Sequence, residues 1–265
     1  MKELAARDYS SISASAVSLL FMKSRTQIPY AKEAAQLLWP SAPPSELVQS
    51  LTSDVGQLRL RHFEARYRSL DRLLADSALP RVLELGAGLS FRGLAFARTP
   101  GTFYLDTDLP EIVAMKRDLI QKLAPPELAG TLRVEALNAL DEAAVFAALD
   151  AMPAGPLAIA NEGLLMYLDD GEKARLAATV RHVLERRGGV WLTADIYIPS
   201  PRTDTSAFID ERARRFLTEH GVEAKKFPSF SAAESFFTQN GFAIRQRLGG
   251  ERPERIRESW ALEIA

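Results

Sequence analysis

The stretch from Arg81 to Pro110, RVLELGAGLSFRGLAFARTPGTFYLDTDLP, constrains this chain more than any other. Val82, Leu83 and Leu85 enclose Glu84, and Gly86 and Gly88 follow at once. A short apolar run bounded by glycines suits a strand buried on both faces, as in a parallel sheet. Glycine permits the sharp turn and lets a ligand approach the backbone without a Cβ in the way. Phe91, Leu94 and Ala95, continued to Arg98, mark a helix. Thr102 to Leu105 predicts a second strand, closed by Asp106, Asp108 and Pro110. In open parallel sheets, ligands bind at the carboxyl ends of the strands, and an acidic residue about 20 residues past the glycines grips a ribose diol.

The glycine turn reads G-A-G-L-S-F-R-G rather than G-x-G-x-x-G, and no Gly-Lys-Ser/Thr follows it. A Walker A loop is excluded, and a pyrophosphate would want the tighter turn. Glu84, just before the glycines, would also repel phosphate. A nucleoside carrying an ammonium group suits these residues better, which points to S-adenosylmethionine. Glu84, Asp106 and Asp108 are expected to crowd one strand-end edge, where buried charges need partners. The alternative is an ordinary strand–turn–helix unit with no ligand.

The chain has 265 residues, 47% hydrophobic and 25% charged, enough for one domain with a core. Residues 1–78 read as a helical cap, broken at Pro40, Pro43 and Pro44. Residues 79–265 read as the core, with strands at Leu132–Leu137, Leu157–Ala160, Gly189–Tyr197 and Phe242–Leu248. Helices are expected over Asp141–Leu149 and Asp170–Arg187, the second capped by Asp169 or Asp170 and ended by Gly188. Residues 198–235 carry prolines and charges and read as an insertion or lid. Strands alternating with helices imply an α/β fold with a mostly parallel sheet.

A net charge of −1 leaves no basic excess for a nucleic-acid partner. Cysteine is absent, which removes disulfides, thiolate zinc sites and cysteine nucleophiles together. The apolar run Ala16–Met22 is too short to span a bilayer, so no membrane association is expected. Glu3 and Asp8 before it, and Lys23 and Arg25 after it, do not suit a signal peptide. A cytoplasmic protein is expected.

Among side chains that can carry chemistry, Arg66 borders the apolar face made by Phe63, Tyr67, Leu70, Leu73 and Leu74. An inward guanidinium needs an anion, best a bidentate carboxylate. A snorkelling or internally paired arginine is the other reading. Glu162 ends the fourth strand, either facing the cofactor or capping the segment after Gly163. Asn138, after the third strand, serves an adenine edge or a backbone turn. Tyr167 lines the substrate pocket or the core. The three histidines, His62, His182 and His220, form no close pair, and no H-E-x-x-H or G-x-S-x-G occurs. Neither a metal site nor a serine-hydrolase elbow is expected.

Taken together these segments resemble the leucine carboxyl methyltransferase family, and within it the bacterial branch of polyketide-type O-methyltransferases. DYSSISASA and KSRTQIPYAKEAA resemble its substrate-side helices. HFEARYRSLDRLL resembles the helix whose arginine binds the cofactor carboxylate, here Arg66. DTDLPEIVAMKRDLI places the ribose contact on Asp108, and NEGLLMYL places the pocket glutamate on Glu162. HGVEAKKFPSFSAAESFFTQNGF resembles the C-terminal stretch. Lys23 matches an N-terminal lysine facing the cofactor, and Asn138 stands where many relatives place an aspartate. Leu89-Ser90-Phe91-Arg92 replaces a common Asp-Thr-Arg run, keeping Arg92 and losing the aspartate.

The resemblance implies a Rossmann-like class I methyltransferase fold, with a mostly parallel seven-stranded sheet and an N-terminal helical cap. It implies S-adenosylmethionine bound by Lys23, Arg66, Glu84, Gly86, Gly88, Asp106, Asp108, Asn138 and Glu162. It also implies methyl transfer to a carboxylate or hydroxyl of a small molecule, a protein carboxylate being the other acceptor. No catalytic residue is assigned. An NAD(P)-dependent oxidoreductase and a cofactor-binding module without turnover are the rival readings.

Overall fold

The structure, a computed structural model, describes residues 13–49, 51–199, 217–249 and 256–265. The N-terminal DYSSISASA motif largely precedes the described residues, and residues 200–216 of the expected insertion also lie outside them.

Among the described residues four helices form the cap: α1 (Ser13–Lys23), α2 (Ala31–Leu38), α3 (Ser45–Gln49) and α4 (Asp54–Ser77). The break expected at Pro40, Pro43 and Pro44 falls between α2 and α3. Ser53 caps α4, its hydroxyl accepting the Gly56 N–H at 3.1 Å. The buried stripe of α4 is Leu60, Arg66, Tyr67, Leu70, Leu73 and Leu74.

The core alternates as β1 (Arg81–Leu85), α5 (Arg92–Phe96), β2 (Phe103–Asp108), α6 (Pro110–Leu123), β3 (Thr131–Ala136), α7 (Glu142–Asp150), β4 (Leu157–Asn161), α8 (Asp170–Arg187) and β5 (Gly189–Tyr197). It closes with α9 (Phe230–Gln239), β6 (Phe242–Gly249) and β7 (Arg257–Ile264). The sheet order is β3-β2-β1-β4-β5-β7-β6, and only β7 runs against the others. This is the seven-stranded, mostly parallel sheet expected.

Three local outcomes differ from the sequence reading. Helix α5 is one turn long, so Phe91 precedes it and Arg98 lies beyond it, exposed. Strand β2 runs to Asp108, which puts Asp106 inside the strand rather than at its end. Strand β7 was not foreseen, because RESWALEI opens on charges that mask its apolar residues. Its Trp260 and Leu262 are nonetheless fully buried. Helix α8 behaves as expected, and Asp169 and Glu172 form a reciprocal capping box at its start.

The two faces of the sheet carry different cores. Leu83, Leu85, Leu105, Ile159 and Trp191 pack with α7, α8 and α9. Val82, Tyr104, Ala158, Ala160 and Leu192 pack against Leu70, Leu73 and Leu74 of α4. Helix α4 therefore lies along the sheet, and its inward residues near Arg66 reach the strand ends. No helix among the described residues is long and apolar enough to cross a membrane.

Candidate functional site

The strand order lays the site out in space. Asn138 follows β3, Asp108 ends β2, Gly86 and Gly88 follow β1, Glu162 follows β4, and Tyr197 ends β5. From β3 to β4 is three interstrand gaps, about 14 Å at ~4.8 Å each. An extended nucleoside–amino acid ligand fits along such a row.

The turn after β1 needs its glycines. Gly86 and Gly88 have φ of 64° and 55°, a region that side chains disfavour. A Cβ on Gly86 would also press on Leu164 Cδ1 at 3.2 Å. Asp108 clamps this turn, its two oxygens accepting the Gly88 N–H at 2.6 Å and the Leu109 N–H at 2.7 Å. Burial pushes its carboxyl above the usual range, against the pull of those two bonds. Asn138 is exposed, and its Oδ1 accepts the Leu140 N–H at 3.0 Å, which is the turn role.

Glu162 is the hub of the cap–core junction. It accepts from Lys23 Nζ at 2.9 Å, Arg66 Nε at 3.2 Å and Arg92 Nη2 at 2.6 Å. All four side chains are buried. Burial alone would raise the Glu162 carboxyl, but the three cations outweigh it and hold it well below the usual range. Burial lowers Lys23 in spite of Glu162, while Tyr197, Glu162 and Asp195 raise Arg66 against its own burial. Glu162 thus binds cations rather than capping the segment after Gly163, and Arg66 is paired rather than snorkelling.

Two expected positions are corrected. Glu84 and Asp106 do not crowd the strand-end edge; they sit opposite each other inside the sheet. Glu84 accepts from Arg92 Nη1 at 2.5 Å and Tyr104 Oη at 2.7 Å. Asp106 pairs with Lys116 of α6 at 2.5 Å, both fully buried. Their side chains lie on the face covered by α5 and α6. The period of a strand decides this, because residues two apart share a face while Asp108 lies at the end. Asp106 thereby anchors α6, and Glu84 anchors Arg92.

Other participants escaped the sequence reading. Arg92 binds Asp71 at 2.7 Å in addition to Glu84 and Glu162, and stacks 4.2 Å over the Tyr67 ring. Asp195 accepts the backbone N–H groups of Gly163, Leu164 and Leu165 at 2.6, 2.7 and 3.2 Å, and the Asn161 amide at 2.7 Å. It therefore shapes the loop that carries Leu164 over the glycine turn. A register shift in β5 between Thr193 and Ile196 aims Asp195 at this loop and Tyr197 at α4. Tyr197 Oη lies 2.8 Å from His62 Nε2 and accepts from Arg66 Nη1 at 3.4 Å. The strand-end argument used for β1, β2 and β4 applies equally to GVWLTADIY and would have found both residues. His62 lies one helical turn before Arg66.

Tyr167 is buried, its hydroxyl 3.5 Å from Ser15 Oγ and its carbonyl bound by Lys225 Nζ at 2.8 Å. It joins the cap to the segment before α9. His182 is half-buried beside Glu142. Among the described residues no group of three or more His, Cys, Asp or Glu is placed to hold a metal.

Burial, with Arg257, Arg66 and Lys226 nearby, lowers His62 from 6.5 to about 3. The folded chain therefore keeps His62 neutral while the unfolded chain protonates it. The His62 contribution to stability is therefore complete above pH 6.5 and falls as pH drops below it. Glu162 adds a further loss only below about pH 4.5, where the unfolded carboxylate begins to protonate. Between those limits the His62 contribution approaches about 1.4 kcal/mol per pH unit, while the Asp106 carboxyl, which burial pushes up to about 7, contributes a slope of opposite sign. Denaturant titration of the parent and of His62→Gln at several pH values checks this, the difference between the two curves carrying the His62 slope and the variant keeping that of Asp106.

Comparison with known proteins bears on the fold and the family. The leucine carboxyl methyltransferase family model matches residues 11–181. A protein of Frankia alni, provisionally named an S-adenosyl-L-methionine-dependent methyltransferase, is 30% identical over 139 residues, which is 52% of this chain and 44% of that protein. A protein of Mycobacterium sp. (strain KMS) with the same provisional name is 27% identical over 197 residues, 73% of this chain and 65% of that protein. The chain thus spans less than two thirds of the length of these relatives. The magnesium protoporphyrin IX methyltransferase of Synechocystis PCC 6803, solved with bound SAM, superposes with a TM-score of 0.52 at 12% identity, over 98% of this chain and 99% of that one. The mitomycin 7-O-methyltransferase superposes equally well, with a TM-score of 0.52 at 13% identity, over 94% of this chain and 67% of that one. These likenesses establish the class I methyltransferase fold. With the family model covering well over half of its length, the chain belongs to the leucine carboxyl methyltransferase family.

Proposed function

We propose that this chain is an S-adenosylmethionine-dependent O-methyltransferase acting on a carboxylate or hydroxyl of a small molecule. The observation that carries the reading is the row of strand ends, with a glycine turn clamped by Asp108 at one end and a buried mixed-charge cluster at the other. A zwitterionic amino-acid end needs both signs of charge, and Lys23, Arg66 and Glu162 offer them together. The glycine turn lacks the G-x-G-x-x-G spacing of the tighter turn that a pyrophosphate wants. A dinucleotide-dependent oxidoreductase is correspondingly disfavoured.

In this reading Gly86 and Gly88 admit the nucleoside, Asp108 grips the ribose and Asn138 borders the base. Lys23 and Arg66 take the ligand carboxylate, and Glu162 takes its ammonium. Glu84 and Asp106 support the site from beneath without touching the ligand. Bound S-adenosylmethionine would supply a methyl group already activated by its sulfonium leaving group. The protein's part is to align the acceptor oxygen and exclude water, a contribution of roughly 7–11 kcal/mol in well-oriented reactions. Cap helix α1 and Tyr167 enclose the acceptor side.

Calorimetric titration with S-adenosylmethionine, with NAD and NADP as controls, tests the reading. Micromolar binding of the sulfonium nucleoside alone is expected. Asp108→Ala should weaken it roughly 100-fold, because a hydrogen bond to a charged group contributes about 1.5–3 kcal/mol. Helical content should stay unchanged by circular dichroism. Dinucleotide binding, or an unaltered affinity in the variant, would overturn the assignment.

A further inference from the structure

We propose that Arg257, at the start of β7, binds a carboxylate carried by the acceptor and holds it as an anchor apart from the oxygen that is methylated. The proposal rests on the methyltransferase reading and deepens it by stating the charge of the acceptor.

Strand β7 runs against β5, so it starts where β5 ends, and Arg257 stands opposite Tyr197. Arg257 shares a strand face with Ser259 and Ala261, and Ala261 packs with Leu70, Leu73 and Leu74 of α4. Arg257 Nη1 reaches Ser69 of α4 at 3.3 Å. Ser69 lies about one turn past Arg66, whose guanidinium reaches both Glu162 and Tyr197 Oη. The Arg257 guanidinium thus lies next to the cofactor end of the site, on the acceptor side of it.

Arg257 is only 6% exposed, and a guanidinium buried so far is normally paired with a carboxylate. Here Nη1 donates to Ser259 Oγ at 2.7 Å, Ser69 Oγ at 3.3 Å and the Ala194 carbonyl at 3.5 Å, all of them neutral. Among the described residues no carboxylate pairs with Arg257, and its Nε and Nη2 have no hydrogen-bond partner. Those two nitrogens form the edge of the fork that grips a carboxylate through two parallel bonds. The nearby acids are already engaged. Asp195 accepts from the Gly163, Leu164 and Leu165 N–H groups and the Asn161 amide. Glu162 accepts from Lys23, Arg66 and Arg92.

The rest of this corner adds no negative charge. Lys226 pairs with Glu223 at 2.6 Å, and Arg66 pairs with Glu162. Burial and the cations Arg257, Arg66 and Lys226 keep His62 neutral. Burial also lowers Arg257, and Arg66 lowers it further against the pull of Tyr197, Asp195 and Glu162. An arginine stays charged all the same, so the corner holds one positive charge with no anion bound to it. A carboxylate on the acceptor supplies that anion, and a neutral group does not. Held by two charge-assisted bonds, such a carboxylate has its lone pairs drawn to the guanidinium, which suits an anchor better than a nucleophile.

The experiment uses the full chain saturated with S-adenosylhomocysteine and four probes: benzoate, hexanoate and their neutral amides, benzamide and hexanamide. Binding is read by saturation-transfer NMR titration. Each acid should bind at least ~10-fold more tightly than its amide. Arg257→Gln should bring the acids down to the affinity of the amides, leaving the amides and S-adenosylhomocysteine unchanged. Arg257→Lys should recover part of the difference, because it keeps the charge and loses the fork. Without any probe, the urea midpoint of Arg257→Gln should equal or exceed that of the parent, since no ion pair is lost. Four results would overturn the anchor: neither acid binds, acid and amide bind alike, Arg257→Gln leaves the acids unaffected, or its urea midpoint falls and marks a structural role. Failure of S-adenosylhomocysteine itself to bind would instead refute the methyltransferase reading.

Discussion

Replacing Glu162 by alanine should cost about 3–5 kcal/mol of folding stability, the usual penalty for leaving a buried ion-pair partner uncompensated. Lys23, Arg66 and Arg92 converge on this one carboxylate, each through a contact of 3.2 Å or less. Without it three buried cations face each other, and among the described residues only Arg92 keeps ion-pair partners, Glu84 and Asp71. Urea denaturation measures the loss. Glu162→Gln keeps the shape and one acceptor, so it should fold better than Glu162→Ala yet bind S-adenosylmethionine poorly. A Glu162→Gln protein with parental affinity would remove Glu162 from the cofactor site and leave it a purely structural hub.

Arg92→Met should be comparably severe, again about 3–5 kcal/mol. Among the described residues it strips Glu84 of its one cationic partner and leaves that fully buried carboxylate with the Tyr104 hydroxyl. It also frees Asp71 and one oxygen of Glu162. Replacing both members of a buried pair by apolar groups is often close to neutral. The double variant Arg92→Met with Glu84→Leu should therefore recover part of the loss. A double-mutant cycle by thermal unfolding measures it. Strict additivity would show that Arg92 and Glu84 are not coupled, against the geometry.

Both predictions concern residues whose meaning changed between sequence and structure. Glu84 reads as a cofactor ligand because it precedes the glycines. In the fold it points beneath α5, and its chemistry is consumed by Arg92. Asp106 and Asp108 are two residues apart and chemically alike, yet one anchors α6 through Lys116 and the other clamps the glycine turn. Only where the strand ends separates them, and residue type carries no record of that.

What the sequence determined by itself was local and periodic. The alternation of apolar runs with glycine turns and amphipathic stretches specified a parallel α/β core, because strand and helix periods are written in nearest neighbours. The acidic cap of α8 at Asp169 or Asp170, the extent of β5 and the inward stripe of α4 followed for the same reason. So did the place of Glu162 and Asp108 at one edge, since parallel strands end together. Tertiary structure alone decided which charges meet. Lys23 and Glu162 are 139 residues apart, and His62 and Tyr197 are 135 apart. Such pairs leave no periodic trace, because long-range packing of cap on core brings them together. The β5 bulge that turns Asp195 and Tyr197 to different tasks is likewise a property of the assembled sheet.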